Sequence, residues 1–389
     1  MNKEQKNRLG AVIVGSGMIA QVHYRALKNA GIAIHGVVTS TPERAAQITK
    51  DWEVETFDDL EQVLCCEQVD VVHICTPNAL HFEMAKRAIQ AQKHVICEKP
   101  LATSLEEAKE LQQLASEKGV HTGVPFVYRY HPMIREARAR IANGELGALH
   151  LIHGSYLQDW LLEQADNNWR VDPKLGGSSR AFADIGSHWC DLIEWITGER
   201  FVRLISHFHT AQKTRSAQAN ETFTEHRSVN LDQHPQTHVE TEDIANLLLI
   251  THRHTPATLT VSQVSAGRKN RLWFEIDGAN SSLVFDQETP EQLWLNTRSA
   301  RSLLVRDPTQ GSDEQKRLSL TPAGHAQGYS HCFDAFIHDF YTSISGGNPT
   351  GLPTFEDGVR AAQLIDAALH SAHTQQWISI EMPSFMDKE

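Results

Sequence analysis

Two short segments place titratable side chains where a buried element has to end. The first is VICEKPLA, residues 95–102. Val95 and Ile96 close an apolar run, Glu98 and Lys99 set two charges at its tip, and Pro100 stops further ladder pairing. A lysine there is either a solvated turn residue or an amine at the mouth of a parallel sheet, where doubly wound folds bind ligands. The second segment is DIGSHWCDLIEW, which holds Asp184, His188 and Asp191. A helix starting near Gly186 sets His188 and Asp191 one turn apart, with Asp184 just ahead of it. A carboxylate beside a histidine fixes the tautomer and strengthens the ring as a proton acceptor. A structural histidine at a helix start is the plainer alternative. The chain has 22 histidines, which raises metal binding. HFH at 207–209 and HRH at 252–254 would each put both rings on one face of a strand. Spacing supplies no third ligand, so they read as surface histidines and no metal is expected.

VIVGSGMIAQVH contains Gly15, Gly17 and Ala20 in a G-x-G-x-x-A pattern. It follows the first apolar run and opens the first helical pattern, and that context gives it weight. Gly15 allows a tight turn, Gly17 lets a pyrophosphate approach the backbone, and Ala20 lets helix and strand pack closely. The N–H groups over Gly15, Ser16, Gly17, Met18 and Ile19 then suit a diphosphate. An ordinary strand-to-helix turn is the alternative. After the second run, VVTSTPER has no carboxylate at the strand tip, where an NAD site usually holds the ribose. Ser40, Thr41 and Arg44 suit a 2'-phosphate instead, although Arg44 reads equally as a solvated helix residue. The expected cofactor is NAD(P), with a lean to NADP.

These side chains need elements to hold them. The first 125 or so residues alternate apolar runs (LGAVIVG, IAIHGVVT, VDVVHICTP, KHVICEKP) with helical patterns. Runs without alternation suit strands covered on both faces. Strands separated by helices imply a parallel, doubly wound sheet. Ser104 and Glu107 have capping-box spacing ahead of LEEAKELQQLASEKG. After residue 150, LHLIHGSYLQDWL, FVRLISHFHT, IANLLLITH, ATLTVSQVS, RLWFEIDG and SSLVFD read as strands. Only one clear helix is expected between residues 184 and 329, and two amphipathic helices follow. The expectation is an α/β Rossmann domain over 7–127 and an α+β domain over 128–384 with a large, mostly antiparallel open sheet. The polar stretch 211–240 reads as a long mobile loop or lid.

Composition narrows the partners. A formal charge of −12 over 389 residues argues against nucleic acid or an anionic membrane surface. No apolar run approaches the ~18 residues that span a bilayer. MNKEQKNRLGAVIVG runs into a glycine turn and reads as a strand start, not a signal peptide. Six cysteines without a C-x-x-C pair suit free thiols and a cytoplasmic setting.

On VGSGMIAQVH, VDVVHICTPNALH, HVICEKPLA and GGSSRAFADIGSHWCDLIEWITG, spread in order over residues 11–198, the chain resembles the Gfo/Idh/MocA oxidoreductases. This is the glucose–fructose oxidoreductase and inositol dehydrogenase group. The resemblance implies Lys99, Asp184 and His188 as catalytic residues. It implies a cofactor groove lined by Thr76, Pro77, Asn78 and His81, with Glu98 and Lys99 on its rim. Tyr128 of VYRYHP, and Trp169 and Arg170 of NWR, would border the nicotinamide. The implied substrate is a sugar, a sugar derivative or a cyclic polyol. Lys99, Asp184 and His188 would meet it, and Tyr156, Gln158, Asp159 and Trp160 suit hydroxyl recognition and stacking. Alternate faces of a half-buried strand explain these last four equally well. Ser178, Ser179 and Arg180 depart from the glycine-rich pattern of many relatives. A homodimer or homotetramer is implied. A non-catalytic sugar- or cofactor-sensing regulator on the same fold is the alternative function.

Overall fold

Gly10–Val14 is buried at every position and forms β1 at the centre of the first sheet. The computed structural model describes residues 9–217 and 235–382. The expected domain ends at residues 7 and 384, and residues 218–234 of the polar stretch, lie outside the described residues. The chain divides into two compact units. One is Met1–Val127 with Tyr329–Ala362, and the other is Tyr128–Gly328 with Gln363–Glu389.

In the first unit, β2 is Ala33–Val38, β3 Thr56–Phe57, β4 Val71–Ile74, β5 His94–Cys97 and β6 Thr122–Gly123. All pairs are parallel, in the order β3-β2-β1-β4-β5-β6. The intervening helices are α1 Met18–Asn29, α2 Pro42–Trp52, α3 Leu60–Cys65, α4 His81–Gln90 and α5 Leu105–Lys118. Val12, Val14, Val72, Ile74, Val95 and Cys97 of the sheet pack against Ala85, Ala88 and Ile89 of α4 and Leu111 of α5. This is the doubly wound arrangement that the unalternated runs called for. The Ser104 hydroxyl caps α5 by accepting from Glu107 N at 3.2 Å. The Glu107 carboxylate takes the Thr103 hydroxyl, so one half of the capping box forms.

The second unit starts with α6, Pro132–Ala142, and β7, Leu149–Leu157. Then come α7 Pro173–Gly176, α8 Ser187–Thr197, β8 Phe201–His209, β9 Thr214–Ser216 and β10 Gln236–His238. β11 Ile244–Thr251, β12 Pro256–Ser262, β13 Arg271–Gly278, β14 Ser282–Asp286, β15 Gln292–Asn296 and β16 Arg301–Val305 follow. The last elements of the chain are α9 Asp313–Leu318, α10 Tyr329–Ile344, α11 Phe355–Thr374 and β17 Ile378–Ser379. Nine strands form one sheet in the order β16-β15-β14-β13-β7-β12-β11-β8-β17. Only β7 and β12 pair in parallel, so the sheet is mixed and mostly antiparallel. Strict alternation in β11 buries Ala245, Leu247 and Leu249 and turns Asn246 and Leu248 outward.

One glycine seats the helix that carries His188. A Cβ at Gly154, in β7, would lie 2.3 Å from the Trp273 carbonyl oxygen and 2.4 Å from Trp189 Nε1. The Trp189 ring of α8 occupies that space, and its indole N–H donates to Trp273 O at 3.0 Å.

Four features differ from the reading of the sequence. QLWLN and RSLLV pair as β15 and β16, and DEQKRL forms α9, so 184–329 holds a second helix. HRH is not a strand: β11 ends at Thr251, and His252 Nδ1 accepts from Arg200 N in the turn beyond. The polar stretch begins and ends in strands, since β9 pairs antiparallel with β10. Finally, Tyr329–Ala362 belongs to the first unit, whereas 128–384 was expected to run as one domain. The cause is apolar packing. Phe336 and Phe340 of α10 close on Gly123 of β6, and Phe333 sits edge-on to His23 of α1, 5.1 Å between ring centres. Among the described residues, no helix is long and apolar enough to cross a membrane.

Candidate active site

In the first unit the candidate residues gather along one edge. β2, β1, β4 and β5 are neighbours, so the residues after Val38, Val14, Ile74 and Cys97 come side by side. Backbone bonds carry the alignment past the strands: Gly15 N donates to Val38 O, Cys75 N to Val14 O, and Glu98 N to Ile74 O. Gly15 has a φ of 119°, and a Cβ on it would lie 2.5 Å from Cys75 O, so the turn requires glycine there. Gly17 is different. It is the N-cap of α1 without a side-chain cap bond, and a Cβ on it would meet nothing within 4 Å. Open space in front of uncapped N–H groups is what a diphosphate needs.

The second strand tip is organised by Thr41, whose hydroxyl accepts from Arg44 N and caps α2. Ser40 and Arg44 are exposed. Glu43 stands in the same turn, and hydrogen bonds from its own backbone N–H and the Thr41 hydroxyl lower its pKa.

Thr76, Pro77, Asn78 and Lys99 are partly exposed on the same edge. His81 is not: it has no exposure, so it clamps the edge from beneath where a groove-lining role was expected. Its Nδ1 lies 2.8 Å from Pro100 O and its Nε2 3.0 Å from Thr76 O. Burial lowers its pKa, so at neutral pH the ring is uncharged and donates through one nitrogen at a time. The clamp ties the loop after β4 to the E-K-P tip. Glu98 is buried as well, and its Oε2 accepts the Lys99 backbone N–H at 3.2 Å.

In the second unit, Asp184 lies within a single widened helical turn, Phe182–Gly186, which runs directly into α8. The helix was expected to start after this aspartate. Extra-residue turns of this kind re-aim side chains and recur at functional sites. Two groups hold the Asp184 carboxylate: Gln263 Nε2 donates to Oδ2 at 2.8 Å, and Arg170 Nε lies 3.4 Å from Oδ1. Arg170 also stacks on Trp169, 4.4 Å from the ring centre. The Tyr128 ring packs edge-on against His188 at 4.9 Å. Both oxygens of Asp191 accept from the Arg129 guanidinium. That commits Asp191 to a buried ion pair, whereas Asp184 is partly exposed.

The sugar-recognition candidates form a network among themselves. Tyr128 OH and Tyr156 OH are 2.7 Å apart, and Tyr156 OH and Gln158 Nε2 both donate to Asn270 Oδ1. Gln158 Oε1 accepts from Trp160 Nε1. Tyr156 and Gln158 are therefore buried and bonded to protein, and Asp159 binds Lys269 Nζ and Gly267 N. Of the departures from a glycine-rich stretch, Ser178 is exposed, whereas Ser179 and Arg180 point inward. Glu242 accepts from the Ser179 hydroxyl and from Arg180 N and Phe182 N. Burial raises its pKa, against these three donors.

Asn270, Gln263 and Glu242 were not found by sequence reasoning, because their partners lie 60 or more residues away. The adjacent acids Glu242–Asp243 just before a buried strand were the one local signal. On the outer face of the second sheet, His153 lies 3.7 Å from Glu275 and 3.9 Å from Asp277, brought together by β7–β13 pairing that spacing along the chain does not reveal.

Comparison with known proteins agrees with both halves. The family profile described as "Oxidoreductase family, NAD-binding Rossmann fold" matches residues 9–126, and that of the GFO/IDH/MocA C-terminal domain matches residues 134–284. Levoglucosan dehydrogenase of Pseudarthrobacter phenanthrenivorans is 29% identical over 356 residues, 88% of either chain. A solved structure of levoglucosan dehydrogenase with NADH and L-sorbose gives a TM-score of 0.87 at 26% identity, covering 96% of this chain and 99% of that one. An inositol dehydrogenase homologue complexed with NAD+ from Azotobacter vinelandii gives 0.84 at 25% identity, covering 96% of this chain and 97% of that one.

A pH dependence of stability follows from His131, which lies parallel to Tyr128 with ring centres 6.0 Å apart. Burial lowers its pKa from 6.5 to about 4. The unfolded chain therefore takes up the proton first. This contribution is intact above pH 6.5 and is lost as the pH falls toward 4, about 3 kcal/mol in all. Urea midpoints measured from pH 7.5 to 4.5 should fall, and in His131→Phe the fall should be shallower by about one proton. An unchanged slope in the variant would contradict the assignment.

Proposed function

The chain belongs to the Gfo/Idh/MocA family of NAD(P)-dependent oxidoreductases acting on CH–OH groups, and on that premise we propose that it oxidises or reduces a sugar, sugar derivative or cyclic polyol at a secondary alcohol or ketone. The observation that carries this reading is the position of Lys99 at the carboxyl end of β5, two strands from the glycine turn after β1. Gly15–Ile19 would hold the diphosphate, Ser40, Thr41 and Arg44 the adenosine ribose, and the loop at Thr76, Pro77 and Asn78 with Glu98 the remainder. When bound, the nicotinamide supplies the hydride chemistry. An imidazole nitrogen of His188 takes the hydroxyl proton as the alcohol is oxidised, and returns it in the reverse direction. The Lys99 amine donates to the same substrate oxygen and stabilises its developing charge. Asp184, fixed by Gln263 and Arg170, orients the substrate and the histidine. Tyr128, Trp169 and Arg170 border the nicotinamide. The buried Tyr156–Asn270–Gln158 network acts as a rigid backing; Asp159, buried and bound to Lys269 and Gly267, and the half-buried Trp160 are the remaining candidates for hydroxyls and stacking. Six free thiols support a reducing, cytoplasmic setting.

The test is a screen of levoglucosan, glucose, L-sorbose and myo-inositol with NAD and NADP, following reduced-cofactor absorbance. Lys99→Ala and His188→Ala should each lower kcat by roughly two to four powers of ten and leave dinucleotide affinity largely intact. The double variant should be little worse than either, because both act on one oxygen. Near wild-type turnover in folded Lys99→Ala would sink the catalytic reading and put the sensing regulator ahead.

For the cofactor, the absent strand-tip carboxylate and the exposed Arg44 support NADP. Arg44→Ala should weaken NADP roughly tenfold and NAD little. Equal effects on both, or tighter NAD binding by the wild type, would remove that preference.

For assembly, the outer sheet face exposes Leu248 by 51%, Leu303 by 39% and Val305 by 53%. Apolar side chains arrayed on a nine-stranded face support a second copy of this chain as the cover, giving a homodimer or homotetramer. Sedimentation at micromolar concentration should give a multiple of 43.6 kDa, and a single-chain particle would count against it.

A further inference from the structure

The first unit contains a line of four buried polar side chains, three of which, Tyr341, His73 and His23, have no part in the proposed chemistry. Tyr341 OH on α10 lies 3.0 Å from His73 Nε2 on β4. His73 Nδ1 lies 2.9 Å from His23 Nδ1 on α1. His23 Nε2 lies 3.0 Å from Glu98 Oε1 at the tip of β5. The other Glu98 oxygen accepts the Lys99 backbone N–H. His23 and His73 have no exposure, and Tyr341 and Glu98 have 5% and 6%. His73 stands between Val72 and Ile74, where the sheet otherwise takes aliphatic side chains. A polar line through an apolar interior is costly unless every link is made.

The links admit a consistent set of protons. Burial keeps the Tyr341 phenol protonated, with its pKa well above 10, and His73 uncharged, with its pKa well below 6.5. The Tyr341 hydroxyl then donates to His73 Nε2. His73 carries its hydrogen on Nδ1 and donates to His23 Nδ1. His23 carries its own on Nε2 and donates to Glu98. Each hydrogen points along the line toward the carboxylate. The reverse order would leave the Tyr341 hydrogen without an acceptor among the described residues.

We infer that Tyr341, His73 and His23 are positioning residues for Lys99: they hold the Glu98 carboxylate in one orientation, and Glu98 in turn fixes the backbone from which the Lys99 amine projects. The inference rests on the proposed role of Lys99. The E-K-P tip is then gripped at two points, by His81 at the Pro100 carbonyl and by this line at the Lys99 amide. α10 supplies the far anchor, which gives the return of Tyr329–Ala362 to the first unit a consequence for the chemistry.

The experiment uses the full chain, with Tyr341→Phe as the mildest break, since it removes one hydroxyl and keeps the ring. In wild-type protein labelled with 15N-histidine, His73 should show the Nδ1–H tautomer and His23 the Nε2–H tautomer. A charged His73 or the opposite tautomers would overturn the inference, and this readout needs no variant to fold. In Tyr341→Phe, hydrogen exchange at the Lys99 amide should rise roughly tenfold while the Val95 and Ile96 amides stay unchanged. With the best sugar of the screen, kcat should fall roughly tenfold and KM should move less than about twofold. Lys99→Ala is measured alongside. If it keeps full turnover, the catalytic reading fails and takes this inference with it. If it is inactive while Tyr341→Phe keeps wild-type turnover and exchange, this inference alone fails.

Discussion

Two consecutive buried carboxylates, Glu242 and Asp243, organise the second unit. An acid without exposure must find donors or a countercharge, and these two find both. Glu242 gathers Ser179 and the N–H groups of Arg180 and Phe182, which fixes the entrance to the widened turn holding Asp184. Asp243 is held by Arg180 and Arg215. Burial works against its ionised form, but Arg180, the Gln212 N–H and Arg215 outweigh it and lower its pKa. Three more hydrogens of the Arg215 guanidinium go to the carbonyls of Leu161, Glu163 and Asp166. The loop leading to Trp169 and Arg170, the turn carrying Asp184 and the strand β9 thus converge on two side chains. Removing one partner of such a buried pair typically costs about 3–5 kcal/mol, so this cluster sets the shape around it.

The first unit solves a related problem with less charge. A parallel sheet buried on both faces has little room for polar groups, yet the proposed chemistry needs them at its carboxyl edge. The edge loops are short and held by bonds that reach backward into the interior. The His81 ring sits between the Thr76 and Pro100 carbonyls and donates to one of them at a time, and Glu98 turns inward to the Lys99 amide. Cys75 and Cys97 sit in the same layer, and burial, together with the nearby Glu98 charge, raises the pKa of both thiols. They fill space there and are poor nucleophiles.

Whatever depended on neighbours in sequence was legible. The glycine turn, the strand tip at Glu98–Lys99 and the helix at His188 each announce themselves within a dozen residues, because a turn, a cap or a strand end is a local event. What escaped depends on partners far along the chain. Asn270 is 114 residues from Tyr156, and Tyr341 is 268 from His73. Neither pair has a periodicity. β3 and β6 are two residues long, too short for any pattern, and exist because neighbouring strands pull them into register. Ser179 and Arg180 stand out in the sequence only as departures from a glycine-rich stretch. Their true partners, Glu242 and Asp243, lie more than 60 residues downstream.

The contact between Gly154 and Trp189 has an evolutionary corollary. The indole occupies the space that any side chain at position 154 would need, and its neighbour in sequence is His188. Position 154 is held to glycine twice over, by the indole and by the Trp273 backbone carbonyl, so a smaller residue at 189 would not release it. Across descendants of this sequence the glycine should persist while the residue at 189 varies in size. A sheet position with no chemistry of its own is thereby fixed for as long as the strands beside it keep their pairing.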